Sequence, residues 1–170
     1  MKYFALLYLP LFLFSISCKT KVNPIVDYSN LKYDTNAIKI FYWDTTRLPF
    51  PNNSEPIAIT TKDIETVDSA IRSQMKWFND SISPKLFLSF SKSAPLETFI
   101  INPQKYKRQY FSYKDVNGKK VFYIICFCNE FKEWKTKRYT GKLHNGICEI
   151  TIMVNLSRMT VEQFNTGSYG

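Results

Sequence analysis

The sequence predicts a two-layer α+β domain in which one amphipathic helix packs on an antiparallel β-meander. Three observations carry that expectation. Ile64, Val67, Ile71, Met75 and Phe78 recur at steps of three and four, a spacing that gathers them on one helical face. From residue 86 onward the pattern changes to short runs rich in aromatic and β-branched residues, with an Asn117-Gly118 turn signal between two of them. One long helix of this kind covers the apolar face of such a sheet.

Taken in order, the first strand is expected at residues 37–43 (Ala-Ile-Lys-Ile-Phe-Tyr-Trp), and the proline-rich stretch 49–56 is loop. The helix follows, with Thr60 as its cap, Asp63 completing a capping box, and acidic residues suiting the dipole of its first turn. Asp63, Glu65, Asp68, Arg72 and Lys76 fall elsewhere on the wheel. Asn79-Asp80-Ser81 and Pro84 are expected to end it. A two-residue Asn-Gly loop of type I′ would pair Phe111 with Ile124 and Tyr113 with Phe122. Residues 147–156 form the next strand, with Cys148, Ile150, Ile152, Val154 and Leu156 alternating onto one face, and a last strand spans 160–166. The order of elements resembles the cystatin or NTF2 type of fold, a likeness that implies nothing about activity.

Ahead of this domain lies a different kind of segment. Lys2, an apolar run from Phe4 to Ile16 and a small residue before Cys18 describe a secretory signal peptide. The run is shorter than the roughly 20 apolar residues of a spanning helix, and Pro10 interrupts it. Cys18 directly after Ser17 resembles the lipobox of bacterial lipoproteins, which implies lipidation at Cys18. The expected organisation is a signal peptide over 1–17, a lipidated cysteine and polar tether over 18–30, and a single domain over 31–170. The implied location is the bacterial cell envelope, lipid-anchored, at the outer rather than the inner membrane.

The chain has 170 residues, enough for one domain that buries about 68–70% of its unfolded surface. Aromatic residues make up 16%, far above a disordered composition. Five glycines and no GxGxxG or GKS/GKT string argue against a phosphate-binding loop, and no cofactor is implied. The net charge of +9 suits an acidic partner or anionic headgroups, and for an exported chain nucleic acid is not expected.

Three cysteines lie inside the domain. Cys126 and Cys128 share one face of a strand, and antiparallel pairing with the next strand sets Cys128 opposite Cys148, Ile124 opposite Ile152, and Phe122 opposite Val154. A Cys128–Cys148 disulfide is therefore open, as are buried free thiols. The alternative is a metal site, or a small enzyme, using His144 with Cys126, Cys128 and Cys148, since C-x-C-x15-H-x3-C offers zinc ligand types. His144 sits beside Asn145-Gly146, a turn signal, and Cys148 begins an apolar strand face, where a thiol is inert. No catalytic residue is assigned. Tyr106, Tyr110, Phe111 and Tyr113, interleaved with Lys105, Lys107 and Arg108, read as core aromatics alternating with solvated cations. Phe41, Trp43, Trp134 and Tyr139 are candidate exposed anchors for a protein or glycan partner.

A family likeness covers residues 102–167. Tyr106-Lys107-Arg108-Gln109-Tyr110, Asn117-Gly118-Lys119-Lys120-Val121, Cys126-Phe127-Cys128, Cys148 and Val154-Asn155-Leu156 resemble small Bacteroidetes-type lipoproteins of unknown function. The ending, Phe164 to Gly170, departs from their closing pattern. The resemblance implies the same compartment and fold class, and carries over no activity.

Overall fold

A computed structural model describes residues 37–41, 54–90, 94–141 and 146–168. It is an α+β fold with a six-stranded mixed sheet and two α-helices among those residues. Cys18, the signal and tether segments, Trp43 and His144 lie outside the described residues.

Helix α1 spans Thr61–Ser81. Its start is built as the sequence predicts: Asp63 N–H donates to Thr60 Oγ1 at 3.2 Å, and Thr60 N–H donates to Asp63 Oδ2 at 2.9 Å. Each bond satisfies a donor that the helix itself leaves open. Burial alone would raise the Asp63 carboxyl, but Lys120 and Thr60 outweigh it and hold the group below its ordinary value. Thr60→Ala is expected to cost about 1 kcal/mol in urea unfolding. An unchanged midpoint would mean that the cap does not stabilise the helix.

Helix α1 ends at Ser81, in the Asn79-Asp80-Ser81 run expected to end it, with Asn79 itself still inside the last turn. The Asn79 side chain acts as a strand partner, donating to Ile101 C=O and accepting from Ile101 N–H, both at 2.8 Å. One correction follows after α1: a second helix, α2, runs Ser83–Phe90, through Pro84 and into the stretch from Leu86 where β-structure was expected. Proline is favoured in a first helical turn, where its missing N–H costs nothing. Ser83, fully buried, ties this start down by donating to Phe99 C=O at 2.6 Å.

The strands are β1 (Ile38–Phe41), β2 (Glu55–Pro56), β3 (Lys107–Lys114), β4 (Lys120–Phe127), β5 (Glu149–Asn155) and β6 (Thr160–Thr166). Their order is β1-β3-β4-β5-β6, with β2 also pairing β3. From β3 to β6 the sheet is an antiparallel meander, but β1 runs parallel to β3, so the sheet is mixed rather than wholly antiparallel.

The β3–β4 register differs by one residue from the expected one. Tyr110 faces Ile124, Phe111 faces Tyr123, and Ser112 faces Phe122. The turn explains the slip. A type I′ turn needs a positive φ at both central residues, and here Gly118 has φ +75° whereas Asn117 does not adopt a positive φ. Asp115 Oδ1 instead accepts the N–H groups of Asn117 (2.9 Å) and Lys119 (2.8 Å), and Gly118 N–H bonds Asp115 C=O. The turn therefore begins at Asp115 and takes in an extra residue. The β4–β5 register is the one expected, with Phe122 opposite Val154 and Ile124 opposite Ile152.

A one-residue shift decides which side chains share a face. Tyr110, Phe122, Ile124, Cys126, Ile150, Ile152 and Val154 meet the apolar stripe of α1 in one core. Phe111, Tyr113, Val121, Ile125 and Phe127 form a second core with Trp134 and Tyr139 from the segment after β4. Both faces of the sheet are covered, one by α1 and the other by this strap.

Candidate functional site

The most unusual chemistry in the fold is a charged cluster beneath α1. Arg108 occupies a position on β3 that faces the first core, and Asp68 lies on the buried stripe of α1 between Val67 and Ile71. Asp68, expected away from the apolar face, is 1% exposed. Arg108 Nη1 donates to Asp68 Oδ1 at 2.8 Å, and the Tyr110 hydroxyl donates to the same oxygen in a short hydrogen bond. Asp68 Oδ2 and Arg108 Nε are buried without a hydrogen-bond partner among the described residues. Burial raises the Asp68 carboxyl above its ordinary value, against the pull of Arg108 and the Tyr110 hydroxyl. Burial also pushes the Tyr110 hydroxyl well up.

Cys126 sits across the strand pair from Arg108 and is fully buried. Burial pushes its thiol up to about 12, against the pull of Arg108, so it is neutral at ordinary pH. A carboxylate, a phenol and a thiol thus lie together but closed under a helix. What this arrangement does is bind α1 to β3 through a charge-assisted bond. Sequence reasoning missed it because Arg108 lies in a basic run and Asp68 among helix acids. The available signal was the position of Asp68 between two stripe residues.

Cys128 and Cys148 are joined in a disulfide, with Cα atoms 5.0 Å apart, next to a Cys128 N–H to Cys148 C=O bond of 3.0 Å. A disulfide and a zinc-thiolate site need the same two sulfurs. With these bonded to each other, Cys126 and His144 alone would remain of the four-ligand set, and Cys126 is buried in the core. Among the described residues, no group of three or more His, Cys, Asp or Glu side chains is placed to hold a metal ion.

The disulfide anchors both ends of the strap. Within it, Gln109 makes three hydrogen bonds from β3: Nε2 donates to Trp134 C=O and Lys137 C=O, and Oε1 accepts from Tyr139 N–H, each at 2.7 Å. Tyr139 stacks on Phe127 with ring centroids 4.4 Å apart, and the Lys107 and Lys135 ammonium groups lie over Trp134 at 5.4 and 5.3 Å. Trp134 (6% exposed) and Tyr139 (5%) are therefore core residues, not exposed anchors. A sheet whose second face is this apolar needs a cover, and the strap supplies these two rings. Phe41 is half-buried and stacks on Phe111 at 5.4 Å. Tyr106, Tyr110, Phe111 and Tyr113 are all buried, as alternation predicts for some of them and double coverage explains for the rest. Arg108 departs from the expected solvated cations.

Glu133 is exposed and pairs with Lys137 at 2.7 Å, a surface contact. No helix among the described residues is long and apolar enough to cross a membrane. No protein-family model, curated protein or solved structure matches the chain.

Proposed function

We propose that this chain is a lipid-anchored cell-envelope protein whose folded part is a non-enzymatic binding or structural module for an envelope protein or glycan. The observation that carries the reading is the Cys128–Cys148 disulfide, which suits an oxidising, exported compartment, in a chain that opens with Lys2, an apolar run and Cys18. Each lipid CH₂ buried in a bilayer contributes about 0.8 kcal/mol, so several acyl chains on Cys18 would give lasting attachment at the outer membrane. Asp68, Arg108 and Tyr110 bonding one another under α1, and Cys126 neutral beside them, support a structural use of the polar core. The family likeness to small Bacteroidetes-type lipoproteins points to the same compartment. The run from α1 into the β3–β6 meander supports a cystatin- or NTF2-like arrangement, to which α2 and the parallel β1 are additions.

Intact mass of the membrane-extracted protein, with and without reduction, tests the reading. The expected result is a chain starting at Cys18 with added acyl mass that gains two hydrogens on reduction. An unmodified chain starting at Met1 would remove the lipoprotein reading, and a mass unchanged by reduction would remove the bridge.

A further inference from the structure

We propose that the end of the domain where two hairpin turns meet the N-terminus of α1 docks on an anionic lipid surface. The β3–β4 turn (115–119) and the β5–β6 turn (156–159) are neighbours because Lys120 joins them. Its C=O accepts from Leu156 N–H at 2.9 Å, and its N–H donates to Ser157 Oγ at 3.3 Å. The Lys120 ammonium reaches Asp63 in the first turn of α1 at 2.7 Å, which fixes the helix start at the same end.

Each turn presents a large apolar side chain to water. Val116 is 64% exposed and Met159 58%, two of the four large apolar side chains so exposed among the described residues. Neither is needed by the core beneath it. Cations lie at the same end: Lys119 and Arg158 are in the two turns, Lys114 ends β3, and Lys62 and Lys120 line a cavity with Met159. The acids at this end include Glu55, Asp63, Asp115 and Glu162, and three of them are engaged, Asp63 by Lys120, Asp115 by turn N–H groups and Glu162 by the Asn155 side chain. Between the start of α1 and the β5–β6 turn, an open cavity of about 340 Å³ is lined by Lys62, Asp63, Thr66, Lys120, Ser157 and Met159. Lys120 is paired there with Asp63, and the Lys62 ammonium with two hydroxyls beside a thioether suits a phosphate headgroup with the start of its acyl chain. Apolar tips with cations at the same end match an interface that is anionic at its surface and apolar just beneath. The chain's net charge of +9 favours the same partner.

This surface adds to the envelope reading without depending on the Cys18 anchor. A lipid on a polar tether would set the distance of the domain from the bilayer, and the two tips would set its orientation.

The test uses the full chain on vesicles of phosphatidylcholine alone, or of equal parts phosphatidylcholine and phosphatidylglycerol. Val116→Cys, Met159→Cys and, as a control, Leu88→Cys on α2 each carry an environment-sensitive dye, with the parent chain labelled in parallel to account for Cys18. On anionic vesicles, the dyes at 116 and 159 should shift to the blue and be quenched by nitroxide lipids, and the dye at 88 should not. Each cation near an anionic surface is worth about fivefold in binding, so Lys62→Gln, Lys119→Gln and Arg158→Gln together should weaken docking on the order of a hundredfold. Tips that stay in water on anionic vesicles would overturn the proposal and leave them to a protein partner. Equal quenching on neutral vesicles, in the triple variant, or at position 88 would overturn it as well.

Discussion

Asp68→Ala will destabilise the domain by about 3–5 kcal/mol in urea unfolding, because it leaves the Arg108 charge buried without the carboxylate it bonds. Against a typical total of about 5–15 kcal/mol, that loss is severe. Replacing both partners by apolar residues, Asp68→Leu with Arg108→Met, should recover most of it, since the cost comes from the orphaned charge and not from loss of the bond. A cost below about 1 kcal/mol for the single change would mean that the pair does not hold α1 to β3. The carboxyl also predicts a pH signature. Its folded value lies above 3.8, so between 3.8 and that value the folded state binds more protons than the unfolded one. Its contribution to stability therefore falls as pH rises through this window and grows as pH falls. Asp63, held below its ordinary value, acts in the opposite sense and loses its contribution as pH falls. Unfolding free energies of the parent and Asp68→Asn, followed from neutral to mildly acid pH, should shift in favour of the parent. A constant difference would show that Asp68 is ionised throughout.

Removing the bridge with Cys128→Ser and Cys148→Ser is expected to cost about 3 kcal/mol, the chain-entropy value for a loop of the 20-residue separation it closes. The β4–β5 ladder itself should survive, since its seven residue pairs run from Val121 to Phe127 without help from the sulfurs. Urea unfolding of the parent in reductant should match that of the double serine variant without it. A parent midpoint that ignores reductant would contradict the assigned pairing.

What the sequence made legible follows the range of the interactions involved. The start of α1 was readable because Thr60 and Asp63 are three residues apart and act on adjacent backbone. The β4–β5 register was readable because Cys128 and Cys148 tie two strands of simple alternation. The β3–β4 register was not, because Asp115, two residues before Asn117, competes for the turn and moves its start. Pro84 and Asn79 have two uses each, and tertiary contacts decide between them: Phe99 C=O holds Ser83, and Ile101 holds Asn79. The Asp68–Arg108 pair joins residues far apart in sequence, so the helical spacing that sets Asp68 on the stripe could not name its partner. Trp134 and Tyr139 were misplaced for a related reason. A strand with both faces buried hides the alternation that would mark its partners, and the strap that covers it has no regular period.

The parallel pairing of β1 with β3 has a consequence for how the chain assembles. Ile38 meets Arg108 across a connection that contains both helices, whereas β3 to β6 are joined to one another by local segments. Closing that long connection costs entropy before any of its contacts form. The four-strand meander can therefore order first and serve as a template for the N-terminal strand. The first of the described strands to be synthesised is thus among the last to find its place, and until it does, the outer edge of β3 offers backbone groups to any extended segment nearby.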